Sequence, residues 1–206
     1  MKYRLYFLKG TKDYVLEELK KKFPNIYVTG EFSEYIEFDC DVSNILEFRK
    51  VMSGYAVEAD GRRIDLSKRR WRKEFVPAGI NPCLAYIMCM VAGVNDNSII
   101  YDPFCGAGVI PITALLYFSC KRAICSDKSG SAVEKSRINF EEAGIDSSKY
   151  TLFQSDICDV KLTKRNIDLI ISNLPFGIRT GSHEENIKAY DCLEKTALKV
   201  LRRKGK

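Results

Sequence analysis

Asp102-Pro103-Phe104-Cys105-Gly106-Ala107-Gly108 follows the apolar run from Ser98 to Tyr101, and a helical pattern opens directly after it at Val109. A short apolar run, a glycine turn and then a helix make the strand–turn–helix unit of a parallel α/β sheet. Glycine tolerates positive φ and lets a ligand lie against bare backbone. A second stretch, Ser172-Asn173-Leu174-Pro175-Phe176-Gly177, follows the apolar run from Ile167 to Ile171 in the same way. Ligands of such sheets sit in the crevice beyond the carboxyl ends of the strands. The two stretches are therefore expected to face one cavity.

Working outward, Arg122 to Cys125 and Thr151 to Phe153 read as two further strands, with helices starting near Val109, Ser131 and Asn186. Asn81-Pro82 starts a helix that runs to about Gly93, with proline at the first helical position. Residues 81–206 are thus expected to form a Rossmann-like domain of about four parallel strands. Ahead of it, residues 1–59 read β-α-β-β-α-β, the ferredoxin-like order, with Asp41 or Ser43 capping the second helix. The predicted fold is α/β, a Rossmann-like domain preceded by a small α+β domain. Residues 60–80 are expected to be a basic linker. From Asp60 to Lys73 seven basic residues stand against two acidic ones, in a chain of net charge +6. Arg69, Arg70 and Arg72, with Trp71 among them, are the candidates for contact with a polyanion, nucleic acid first. A solvated linker is the plainer reading of the same run.

The eight cysteines contain no C-x-x-C pair, and His183 is the one histidine, so no metal site is expected. The cysteines read as small buried hydrophobes in a reducing cytoplasm. No apolar run approaches membrane-spanning length. His183 falls in a polar stretch, Thr180 to Glu185, expected to be mobile and without a catalytic role.

The chemistry lies at the strand ends. After the glycine loop, Asp127 ends the second strand, where a carboxylate accepts from ribose hydroxyls, and Asp156 and Asn173 end the third and fourth. The loop has G-x-G, but Pro111 stands three residues after Gly108, which disfavours a dinucleotide. The Asn173 side-chain oxygen and the Leu174 or Pro175 carbonyl suit the two hydrogens of an exocyclic base amine, and fixed dipoles of this kind stabilise developing positive charge. Phe176 offers a face for an extruded base. Arg179 follows as a contact for phosphate or base edge. Cys105 has no adjacent base in the sequence and is not expected to be a nucleophile. These features together imply methyl transfer from S-adenosylmethionine to a base nitrogen.

Asp-Pro-Phe-Cys-Gly-Ala-Gly at 102–108, Asn-Leu-Pro-Phe-Gly at 173–177 and Pro77-Ala78…Leu84-Ala85 resemble the RNA guanine-N2 methyltransferases that often carry a THUMP domain. The resemblance implies a class I methyltransferase domain and S-adenosylmethionine as cofactor. It implies that Asp102, Phe104, Cys105, Gly106 and Gly108 border that cofactor, that Asp127 meets its ribose and Asp156 its adenine. Asn173, Pro175 and Phe176 would hold the target amine, and the substrate would be RNA, tRNA first. Val109 stands where the family usually has threonine, and no stretch accommodates a THUMP domain. The family's sheet has seven strands, so the last three are expected outside this chain, in a longer protein or a second chain, leaving the fourth strand as an exposed edge. Two other readings are a non-catalytic RNA-binding subunit of the same fold and a DNA adenine-N6 methyltransferase.

Overall fold

A computed structural model describes residues 1–162, 165–176 and 182–206. They divide into two compact units, Met1–Arg69 with Asn81–Ile87, and Arg70–Ile80 with Met88–Lys206.

The first unit is an antiparallel sheet. Its strands are β1 (Lys2–Tyr6), β2 (Tyr27–Glu31), β3 (Tyr35–Asp39), β4 (Ala56–Ala59) and β5 (Arg62–Asp65), in the order β2-β3-β1-β4-β5. The first four keep the ferredoxin-like order. Alternation places Tyr3, Leu5, Ile36, Phe38 and Val57 on one face, all buried, with Val15 and Leu19 of α1 (Lys12–Lys22) in the same core. The expected second helix is a single 3-10 segment, Ile45–Lys50, capped by Asn44, whose side chain accepts from the Leu46 N–H at 3.0 Å. It stops early because the buried Glu18 carboxylate captures the next amides: Met52 N at 3.0 Å and Ser53 N at 2.8 Å.

β5 takes Arg62 and Arg63 out of the expected linker. Asp60 (φ 48°) and Gly61 (φ 72°) both lie in the left-handed region, the conformation of a two-residue hairpin turn. Helix α2 (Pro82–Ala92) starts where expected, the Asn81 side chain accepting from the Cys83 N–H at 2.8 Å.

The second unit carries the parallel sheet, β8-β7-β6-β9, from β6 (Ile99–Asp102), β7 (Arg122–Asp127), β8 (Tyr150–Gln154) and β9 (Leu169–Ile170). Helices α3 (Val109–Phe118), α4 (Gly130–Glu142) and α5 (His183–Val200) complete it. All four strands run parallel, so their carboxyl ends meet along one edge. The outer edge of β9 is not bare: Ile170 N donates to Lys206 O at 2.8 Å and Lys206 N to Asp168 O at 3.0 Å. This corrects the expectation of an unpaired edge strand. Of the polar stretch from Thr180 to Glu185, residues 182–185 are also corrected, because Ser182 and Glu185 form a reciprocal capping box that starts α5 there, while Thr180 and Gly181 lie outside the described residues.

Six cysteines are free and buried, as expected, but Cys158 and Cys192 form a disulfide across 34 residues of sequence. The expectation that all eight are small buried hydrophobes is corrected for this pair. Their spacing carries no signal. Among the described residues no helix is long and apolar enough to cross a membrane.

Candidate functional site

The second unit holds a cavity of about 680 Å³ at the carboxyl ends of its strands, lined by the loops after β6, β7, β8 and β9. That volume falls within the range of roughly 300–1,000 Å³ common for cofactor sites.

Asp102 ends β6 and is 1% exposed. Its Oδ1 accepts from the Phe104 N–H at 3.2 Å and from Ser172 Oγ at 2.5 Å. The second bond ties the glycine loop to the asparagine loop, so the two stretches do face each other. Burial raises the Asp102 carboxyl to about 7, partly offset by the Ser172 hydroxyl.

The glycine loop turns on Gly106 (φ 53°) and Gly108 (φ 80°). The two have different tasks. Gly106 lines the cavity and donates its N–H to Asp127 Oδ2 at 2.9 Å. Gly108 is not among the lining residues. A Cβ there would stand 2.5 Å from Ser136 Oγ and 3.3 Å from the Phe140 ring, so this glycine permits close packing of α3 on α4. Phe104 and Cys105 line the cavity, and burial pushes the Cys105 thiol well above its ordinary value, which leaves it an inert wall.

Asp127 ends β7 with each oxygen holding one backbone amide, Gly106 N on Oδ2 and Ser129 N on Oδ1, both at 2.9 Å. Each oxygen keeps lone-pair capacity for a ligand hydroxyl. Asp156, beyond β8, is exposed at the rim and accepts from Cys158 N at 2.9 Å. Asn173, Pro175 and Phe176 line the same cavity. Asn173 Nδ2 donates to Ala78 O at 3.3 Å, and the Tyr190 hydroxyl donates to Pro175 O. Phe176 is 66% exposed.

The arginines separate. Arg69 is buried and its guanidinium donates to the carbonyls of Leu66 and Met52, the latter at 2.9 Å. It is turned inward rather than toward solvent. Arg70 is exposed, and Arg72 is half-buried over the ring of Phe75. Arg179 lies outside the described residues.

One wall of the cavity, Val76 to Ile80, went unread as a site element, although Pro77-Ala78 carried part of the resemblance. It is held by Asn139, fully buried in α4. The Asn139 amide accepts from Lys73 N (2.9 Å) and Glu74 N (3.0 Å) and donates to Glu74 O (3.0 Å) and Ala107 O (2.9 Å). An asparagine in mid-helix carries no signal of such a task. Lys135 adds a bond from Nζ to Phe75 O at 2.9 Å.

The arrangement offers carboxylate acceptors at three strand ends, bare backbone at Gly106, and an amide with an exposed ring at the fourth. It suits a nucleoside-bearing cation on one side and a planar amine on the other.

A family model described as UPF0020, RMKL-like, methyltransferase domain, matches residues 69–206. The mouse protein named tRNA (guanine(6)-N(2))-methyltransferase THUMP3 is 26% identical over 185 residues, covering 84% of this chain and 37% of the mouse protein. The tRNA (guanine(10)-N2)-dimethyltransferase of Methanothermobacter thermautotrophicus is 33% identical over 114 residues, 55% of this chain and 32% of the archaeal one. The chain therefore spans about a third of the length of these relatives. TrmN from Thermus thermophilus has the same fold, with a TM-score of 0.81 over 98% of this chain and 86% of that one, at 13% identity.

Proposed function

The chain belongs to the UPF0020, RMKL-like methyltransferase domain family, and on that premise we propose that it is the catalytic part of an S-adenosylmethionine-dependent RNA methyltransferase acting on guanine N2 in tRNA. The observation that carries this reading is the Ser172–Asp102 bond of 2.5 Å, which brings the glycine loop and Asn173 to one cavity. The names of the mouse and archaeal relatives, both tRNA guanine-N2 enzymes, support the substrate class.

When bound, S-adenosylmethionine supplies an electrophilic methyl group on a sulfonium. Asp127 would accept from its ribose hydroxyls, and Asp156 would receive the adenine end. Gly106 lets the donor lie on backbone. Asp102, which lines the same cavity, would favour a cationic ligand in its ionised form. On the acceptor side, Asn173 Oδ1 takes one hydrogen of the exocyclic amine. The Leu174 or Pro175 carbonyl takes the second; the Pro175 oxygen accepts the Tyr190 phenol and keeps one further lone pair. Two acceptors on the amine favour a pyramidal nitrogen with a usable lone pair, and the charge that develops on methyl transfer meets fixed dipoles. Phe176 stacks the base. Placement in line does the rest: the nitrogen lone pair would form the N–C bond as the S–C bond breaks and the neutral thioether leaves. The amine would lose one proton to water during or after the transfer, so no strong base is needed before the methyl moves.

The test is nucleoside mass spectrometry of tRNA and, in a parallel reaction, of DNA, each incubated with the protein and labelled S-adenosylmethionine, with cofactor binding measured by calorimetry. N2-methylguanosine is the expected product. Label appearing only as N6-methyladenine in DNA, or no cofactor binding at all, would overturn the reading in favour of a DNA methylase or a non-catalytic subunit.

A further inference from the structure

Phe75 is 55% exposed, beside the cavity wall. A single exposed aromatic is ordinary, but this one is mounted with care. Its backbone is held on one side by Asn139, through both amides and the carbonyl of Lys73 and Glu74, and on the other by Lys135 Nζ on its own carbonyl. The next residue, Val76, packs against Gly106 and lines the cavity. One face of the ring is backed by Arg72, whose Cζ stands 4.7 Å from the ring centre. The guanidinium is half-buried, its Nε has no hydrogen-bond partner among the described residues, and the ring is one neighbour of its positive charge. A rigid backbone, an outward ring and a cation behind it make a stacking platform for a base, with Lys128, Lys135 and Lys188 around the same cavity for phosphates.

We propose that Phe75, backed by Arg72, stacks an unpaired RNA base that neighbours the target nucleotide, so that the substrate is taken as a single-stranded or looped-out segment. Phe75 stands three residues before Ala78, within a span of about 11 Å at most along the chain. Ala78 in turn holds Asn173. A base on Phe75 and an amine at Asn173 are thus separated by a reach that one or two unstacked nucleotides cover. A duplex keeps its bases in the helix and leaves the platform empty. This inference deepens the RNA methyltransferase reading and rests on it.

The experiment measures binding of a short fluorescein-labelled single-stranded RNA, and of the same sequence as a hairpin duplex, by the parent chain and by Phe75→Leu and Phe75→Trp. Phe75→Leu keeps an apolar side chain without the ring. It is expected to weaken single-strand binding about tenfold, with duplex binding and S-adenosylmethionine affinity unchanged. Phe75→Trp is expected to bind as the parent does or more tightly. Methyl transfer should show the loss in KM for RNA rather than in kcat. Parent-like single-strand binding by Phe75→Leu, or an equal loss for strand and duplex, would overturn the platform while leaving RNA methylation intact. Absence of methyl transfer to any RNA would instead sink the reading on which it stands.

Discussion

Asn173 Nδ2 donates to the Ala78 carbonyl at 3.3 Å, across 95 residues of sequence. An amide whose NH2 is engaged has its oxygen turned the other way. Ala78 presents that carbonyl from a left-handed conformation, φ 57°, which costs an alanine about 1 kcal/mol. The bond leaves the Asn173 oxygen, an acceptor, on the side of the amide away from Ala78.

Removing that acceptor should separate catalysis from cofactor binding. Asn173→Ala is expected to lower kcat by about 100- to 1,000-fold, the size seen when one preorganised polar group at a developing charge is lost. Cofactor affinity by calorimetry should change little. Equal loss of both would remove Asn173 from the amine side of the cavity.

Asp102 makes the site sensitive to pH. Its folded value, about 7, lies above an unfolded carboxylate near 3.9. The native state therefore binds the extra proton between those limits, and stability falls as pH rises from about 4 to 7, by roughly 4 kcal/mol at most. Affinity for a cationic donor should move the opposite way and tighten as pH climbs through about 7, with proton release. Denaturation and calorimetry across that window check both slopes, and Asp102→Asn should flatten them. A cofactor affinity independent of pH would mean that Asp102 does not face the charge.

The two glycines of the loop should fail differently. Gly108→Ala forces a Cβ to 2.5 Å from Ser136 Oγ at φ 80° and should destabilise the fold by about 2–4 kcal/mol. Gly106→Ala meets only Val76 Cγ2, at 3.1 Å, but projects a methyl group beside the cavity. It should cost more cofactor affinity than melting temperature. Matching stability losses for the two would contradict the division of roles.

The Cys158–Cys192 bond joins the loop that carries Asp156 to α5, which carries Tyr190. Thiol titration of the denatured, unreduced chain should count six thiols, and eight after reduction. Closing a 34-residue separation is worth about 3–4 kcal/mol in chain entropy, so Cys192→Ser should lower the melting temperature under non-reducing conditions and make no difference under reducing ones. Eight thiols in the unreduced chain would show that the bond is not made.

Much of the fold was legible because its signals are local. The apolar run before Asp102 and the glycines after it mark a strand, a turn and a helix with no knowledge of anything distant. The β-α-β-β-α-β order was readable for the same reason. The hairpin at Asp60-Gly61 was readable too: that pair between two short runs is a turn signal, overlooked because the basic residues around it read as linker. The shortened second helix was not legible, because its end is set by Glu18, which stands some thirty residues away in the chain. Arg69 shows the limit for charge. Composition places it in a basic run, but whether its guanidinium faces solvent or the carbonyls of Leu66 and Met52 depends on how the chain returns past it.

By itself the amino-acid order determined most of the strands and helices, the shortened second helix and β5 aside, and which strand ends carry polar groups. Side-chain periodicity and the conformational freedom of glycine act over a few residues. Only the tertiary structure decided that Asn173 points its oxygen outward from Ala78, that Asn139 holds the Val76–Ile80 wall, that Lys206 lies on β9 and that Cys158 meets Cys192. Each of these joins groups that the chain brings together only after the sheet has formed, and a hydrogen bond or disulfide between them exists only at that distance.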